Sequence, residues 1–214
     1  MQEVAVLTGD IVKSSALPAD ALTRLFDALE AGVAEIATWP DAPTLLTFSR
    51  HRGDGWQLVL GKPAWALRAS LFLRAAIRAA GADFETRIGL GLGPADKIDT
   101  SHPGAASGPA FDRSGRCLDS LRKSILFGID SGAKTDAARL LNSVFVMADA
   151  LSTGWTQRQA EVFSFVLHPD SPSQAEIGNR LAPPISQPSV TAHFLAGNGP
   201  ALLEALAAVE ARDD

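Results

Sequence analysis

Two aspartates stand where the sequence could do chemistry. Asp10 closes an apolar run in Thr8-Gly9-Asp10-Ile11-Val12, and Asp54 is the centre of Gly53-Asp54-Gly55. If the elements that carry them pair in the middle of one sheet, both carboxylates emerge at one edge. Carboxylates held close together repel each other, and a divalent cation carrying a polyphosphate relieves that repulsion. Metal-assisted phosphoryl chemistry needs such a pair. A plainer reading also fits these residues: Asp10 caps the turn after a strand, and Asp54 is the aspartate of an Asp-Gly hairpin.

The other reactive residue types form no comparable pattern. His51, His102, His168 and His193 lack paired metal-ligand spacing and read as structural or surface residues. Cys117 is the single cysteine, which excludes an intramolecular disulfide and a cysteine-rich zinc site. Its place on an apolar helix face predicts a small core residue. Gly89, Gly91 and Gly93 alternate along a strand with no phosphate-loop lysine after them. They would leave one face of that strand bare for a ligand or a close-packed partner.

The elements that must position the two aspartates follow from periodicity. Residues 4–7 read as a buried strand. Leu22, Leu25, Phe26, Leu29, Val33 and Ile36 recur at helical spacing after Pro18, and Pro40 and Pro43 end that helix. Residues 45–50 and 56–60 flank the Gly-Asp-Gly turn as a hairpin. A second helix runs from Pro63 to Gly81, and residues 84–92 alternate with a period of two. The resulting β-α-β-β-α-β order is the ferredoxin-like arrangement. Beyond a glycine-rich stretch, 103–108, a helix is predicted over 109–121, a short strand over 125–129 and a helix over 136–151. A boundary is expected at 152–154. Four more helices follow, over 156–167, 173–181, 186–195 and 200–212, the second opened by Ser173 with Glu176 at capping-box spacing.

Composition limits the function classes. Of 214 residues, 46% are hydrophobic and 20% charged, which excludes global disorder. The net charge of −5 argues against a generic polyanion binder. No run approaches the roughly 18 apolar residues of a membrane span, and the first residues lack the basic start of a signal peptide. With a lone cysteine, this predicts a cytoplasmic chain with no membrane partner.

Four segments together resemble the class III nucleotidyl cyclases. They are Gly9-Asp10-Ile11-Val12-Lys13-Ser14-Ser15, Arg52-Gly53-Asp54-Gly55-Trp56, Arg87-Ile88-Gly89-Leu90-Gly91-Leu92-Gly93, and residues 108–116 in Gly-Pro-Ala-Phe-Asp-Arg-Ser-Gly-Arg. The resemblance covers roughly residues 1–130, and the whole layout is similar to the SatD-like family of small bacterial proteins. It implies that Asp10 and Asp54 hold Mg²⁺ or Mn²⁺ with help from the Ile11 carbonyl. It also implies that Arg50 stands at the purine-reading position and Arg116 at the arginine that neutralises the transferring phosphate. In a homodimer the metal pair and the Arg116 region would come from opposite chains. Departures accompany the likeness. Asp112 replaces the asparagine that orients the ribose and puts a carboxylate near a polyphosphate. Ala105 or a neighbour replaces a purine-reading acid, and Arg50 replaces a lysine. A degenerate cyclase domain that binds a purine nucleotide is therefore expected.

Residues 156–197 are similar to the helix-turn-helix of bacterial regulators and sigma-type region-four domains. In that likeness Ala175 packs at the helix crossing, and Ile177, Leu181, Ile185 and Val190 form a small core. Ser186, Gln187, Ser189, Val190 and His193 would face DNA base edges. Charge opposes this, because residues 155–214 carry three arginines, no lysine and seven acids.

The sequence therefore predicts an α+β chain: a ferredoxin-like βαββαβ cyclase-type domain over 1–152, then an all-α helix-turn-helix domain over 153–214. The expected function is a nucleotide-sensing transcriptional regulator that binds double-stranded DNA. The alternative is a metal-dependent nucleotidyl cyclase or related phosphotransferase whose C-terminal module dimerises it.

Overall fold

The computed structural model describes residues 3–39, 47–50, 53–96, 98 and 106–211, with the backbone alone at Thr47. Pro40, Pro43, His51, Arg52, His102, Ala105 and the first part of the 103–108 stretch lie outside the described residues.

The fold is mixed α+β. In chain order the elements are β1 (Glu3–Ile11), α1 (Ala19–Ile36), β2 (Thr47–Arg50), β3 (Gly55–Leu60), α2 (Ala66–Ala80), β4 (Thr86–Pro94), α3 (Pro109–Ser120), β5 (Phe127–Asp130) and α4 (Asp136–Ser152). After these come α5 (Gln157–Val166), α6 (Gln174–Arg180), α7 (Gln187–Ala196) and α8 (Gly199–Glu210). The five strands form one sheet in the order β2-β3-β1-β4-β5. β1 lies between β3 and β4, antiparallel to both, and β5 joins β4 in parallel.

Alternation along β1 sorts its residues onto two faces. Ala5, Leu7 and Ile11 join the main core with Leu58, Leu60, Ile88 and Leu90, under the apolar stripes of α1, α2 and α4. Val4 and Val6 face the other way and pack with Val59, Ala95 and Ala110. That second face carries α3. A Cβ on Gly91 would lie 2.1 Å from the Ala110 carbonyl oxygen, and one on Gly89 would lie 2.2 Å from the Leu118 backbone nitrogen. The bare strand face is thus filled by the backbone of α3 from the same chain, and Thr8 of the neighbouring β1 meets Ser114 of α3 hydroxyl to hydroxyl at 2.7 Å.

The bare face expected of the glycine strand is therefore not open to a ligand or to a second chain, and Trp56 beside it is not exposed either. Trp56 is fully buried, and its ring lies against Gly9, where a Cβ would meet the indole at 2.4 Å.

α4 ends at Ser152, and the apolar core continues past it. Trp155, Phe163, Val190, Leu202 and Leu206 belong to the same buried cluster as the sheet. Trp155 stacks on Phe163 with centroids 4.1 Å apart. α5 packs along α2, and the Arg68 fork donates to both carboxylate oxygens of Glu210 at 2.6 and 2.8 Å, pinning the end of α8 to α2.

A second fastening lies deeper. Arg74 of α2 is fully buried; it donates to Glu85 at 3.0 Å, to the Asp149 carboxylate at 2.6 Å and to the Ser152 hydroxyl at 2.6 Å. Its guanidinium lies 3.8 Å from the centre of the Phe127 ring. Asp149 in turn accepts from the Leu126 backbone N–H at 2.7 Å, so a single group ties α2, α4 and the strands β4 and β5.

Candidate functional site

The central position of β1 brings the two aspartates together. Asp10 lies at the end of the strand, opposite Gly55 on β3 and Arg87 on β4. Asp54 immediately precedes Gly55, so the hairpin turn delivers it beside Asp10. Both carboxylates line one cleft of about 400 Å³ with Ile11, Lys13, Ser14, Arg87 and Lys123. Among the described residues, no group of three or more histidine, cysteine, aspartate or glutamate side chains gathers as a metal cage.

The backbone under Asp10 is firmly held. Trp56 Nε1 donates to Thr86 Oγ1 at 2.9 Å, and Thr86 Oγ1 donates to the Asp10 carbonyl at 2.8 Å. Val12 continues the ladder by donating to the Glu85 carbonyl at 3.0 Å. Beyond it Lys13 takes a left-handed conformation, φ 56°, and starts a single helical turn, residues 14–16. That turn aims the Ser14 hydroxyl at Asp54, to which it donates.

The Asp10 carboxylate is already paired. Arg87 Nε donates to Asp10 Oδ1 at 2.8 Å, and Nη2 pairs with Oδ2, so both oxygens of Asp10 are taken. The Asp10 hydrogen bond raises the Arg87 pKa further; partial burial opposes this, and the charges of Asp10, Asp119 and Asp54 add to it. Asp10 and Asp54 offer the hard oxygen donors that Mg²⁺ or Mn²⁺ takes from one or two carboxylates plus substrate phosphates. The donor set fits such a cation, provided Arg87 and Ser14 give way.

The other expected residues lie elsewhere. Arg50, half-exposed, faces α1, with its guanidinium 3.8 Å from the centre of the Phe26 ring and 3.7 Å from Glu30. Asp112 and Arg116 are exposed on α3. Arg116 pairs with Asp130 at 3.9 Å and lines a separate cleft of about 430 Å³ with Arg122, Gly128 and Asn142. Within one chain, therefore, Arg116 lines a different cleft from the aspartate pair, and Asp112 lines neither. Cys117 lies beneath the second cleft, and burial pushes its thiol up to about 11, which keeps it protonated and unreactive near neutral pH.

Reading the sequence missed Arg87, Lys13 and Lys123. The signal for Arg87 was available: pairing β1 with β4 puts it directly across from Asp10. No periodicity points to Lys123, which reaches the cleft from the connection after α3.

In the C-terminal helices, Ser186 caps α7 and accepts from the Ser189 backbone N–H, while the two hydroxyls lie 2.9 Å apart. Gln187 is exposed, and Ser189 and His193 are half-buried. Val190 is fully buried and belongs to the small core, not to a base-reading face. The helix crossing is also corrected. Ala175 is exposed, and the close approach is at Gly178, where a Cβ would lie 2.3 Å from the Ile185 carbonyl oxygen.

No known family and no curated protein matches this sequence. Among solved structures, the chain is similar to a bacterial light-regulated adenylyl cyclase at 15% identity, over 61% of this chain and 76% of that one, with a TM-score of 0.43. It is also similar to the guanylyl cyclase Cya2 at 16% identity, over 61% of this chain and 75% of that one, with a TM-score of 0.44.

Proposed function

We propose that the Asp10–Asp54 cleft binds a purine nucleoside triphosphate with Mg²⁺ or Mn²⁺, in the manner of a nucleotidyl cyclase domain. One observation carries the reading: β1 and the β2–β3 turn bring two carboxylates into a cleft that also holds Lys13, Arg87 and Lys123. Asp10, the Ile11 carbonyl and Asp54 would hold the metal, which would neutralise phosphate charge when bound. The three cations would meet the phosphate oxygens. The order β2-β3-β1-β4, with α1 and α2 on one face, supports reading this part as ferredoxin-like.

Turnover needs more than one copy in this reading. Arg116 lines the second cleft and Asp112 is exposed one turn earlier on the same helix, so they would serve the aspartates of a second chain in a homodimer. Asp112 still places a carboxylate where a phosphate or ribose should be met, which favours binding over efficient cyclisation.

A second reading, DNA binding by α6 and α7, is favoured by one feature. Two capped helices cross at Gly178 and leave Ser186, Gln187 and the start of α7 exposed. Arg180, at the end of α6, is the single arginine or lysine on these two helices, so phosphate anchoring is thin.

The deciding experiment is a thermal-shift series with ATP or GTP, with and without Mg²⁺ or Mn²⁺. Nucleotide should raise the melting temperature only when metal is present. Asp54→Asn should remove that rise yet leave the unliganded melting temperature unchanged. An equal rise in the mutant would return Asp54 to the role of a simple turn residue.

A further inference from the structure

The cleft is electrostatically wrong for a bare cation. Three cationic side chains line the cleft beside its two carboxylates, and Asp119 is near enough for its charge to act on Arg87, so the site is close to neutral before any metal arrives. A lone divalent ion would leave it positive. A metal–triphosphate complex, which is net negative, brings phosphate oxygens for the three cations to meet.

Geometry sharpens the point. Arg87 already occupies both oxygens of Asp10 with its planar fork, at the place a cation would take. Side-chain exposures of 33% for Arg87 and 25% for Asp10 leave the pair open to solvent and to exchange. Phosphate oxygens accept the same fork geometry as a carboxylate. Resting on the reading of this cleft as a metal–nucleotide site, we propose that Arg87 stands in for the cation on Asp10. It is handed to a phosphate when the nucleotide arrives, so that metal binds here only together with a polyphosphate. Arg87 is then a binding residue that makes metal uptake conditional on substrate.

The test compares Mn²⁺ alone with Mn²⁺ plus the β,γ-imido analogue of ATP, followed by Mn²⁺ electron paramagnetic resonance on the full chain. Wild type should bind the Mn²⁺–analogue complex but take up Mn²⁺ alone weakly. Arg87→Gln should bind Mn²⁺ alone about fivefold more tightly, the weight of one partly exposed bidentate pair, and bind the complex more weakly than wild type. Lys123→Gln removes a charge from the same cleft without touching Asp10, and it should gain far less for Mn²⁺ alone. If Arg87→Gln gains nothing for Mn²⁺ alone while Asp54→Asn still abolishes binding of the complex, the handover is wrong and the nucleotide site stands. Equal gains in Arg87→Gln and Lys123→Gln would also overturn the handover, leaving only general repulsion. Should neither wild type nor Arg87→Gln bind Mn²⁺ or its analogue complex, the nucleotide site itself falls.

A second measurement avoids mutation at Arg87. In ¹⁵N spectra of wild type, the Arg87 Nε–H resonance should move when Mg²⁺ and the analogue are added together, and stay in place with Mg²⁺ alone. An equal movement with Mg²⁺ alone would overturn the proposal.

Discussion

Two arginines, Arg74 on α2 and Arg87 on β4, form carboxylate pairs of nearly the same chemistry in very different surroundings. The Arg74 side chain is 0% exposed, with two carboxylates, a hydroxyl and an aromatic ring around it. The Arg87 side chain is 33% exposed and forks onto one carboxylate at the rim of a cleft. Removing a partner from a buried network leaves uncompensated charge in a low dielectric, whereas an exposed pair can be replaced by water. The first arginine is therefore a fixed fastening, and the second is free to exchange partners.

The contrast can be broken from either side. Arg74→Met should cost about 3–5 kcal/mol in urea unfolding, because Asp149 and Glu85 lose their shared cation inside the core. Adding Asp149→Asn should restore part of that loss, which a double-mutant cycle would read as coupling. Arg87→Gln should cost no more than about 1 kcal/mol in the same assay. A loss as large as that of Arg74→Met would erase the distinction and make Arg87 a structural residue.

The smallest effect sits far from both arginines, at the fully exposed capping box of α6. Glu176 accepts from the Ser173 hydroxyl and from the Ser173 backbone N–H at 2.9 Å, and these bonds lower its pKa below the ordinary 4.5. A carboxylate depressed in the folded state stabilises above its unfolded value and loses that contribution as pH falls through its folded value. Hydrogen-exchange protection at the start of α6 should therefore hold above pH 4.5 and fade below it. Glu176→Gln should remove the pH dependence with a marginal change in overall stability.

Much of this architecture was legible in the residues. Leu25, Phe26, Leu29, Val33 and Ile36 draw α1, and Gly53-Asp54-Gly55 draws the turn, because both signals are local in the chain. Ser173 and Glu176 mark α6 for the same reason. What failed was non-local. The helix pattern alone does not reveal that Arg74 shares a buried face with Leu67, Leu71 and Phe72, since an arginine in a helix normally faces water. Gly89 and Gly91 announce a close approach, but only the fold identifies the visitor as α3. Asp10 was readable as a candidate from its own neighbours, whereas its occupation by Arg87 depends on which strands pair and in what register. The C-terminal helices show the same limit on a smaller scale: Val190 could be assigned from the sequence both to the small core and to the base-facing set, and only the packing leaves it in the core and moves the helix crossing from Ala175 to Gly178.

The fastening of α8 onto α2 has a consequence for how the chain is made. Leu202, Leu206 and Val209 complete the same apolar cluster that begins at Ala5, and the Glu210 partner of Arg68 is made well over a hundred residues after it. At about 5–20 residues per second, the stretch from Trp155 to Glu210 takes roughly 3–11 s to synthesise. Through that interval β1 to β4 and the helices α1 and α2 lead the chain out of the ribosome, with the flank of α2 that α5 and α8 will cover still bare. The nascent chain thus carries a sticky surface whose lifetime is set by translation speed, and slow codons after Ser152 would lengthen its exposure to chaperones or to neighbouring chains.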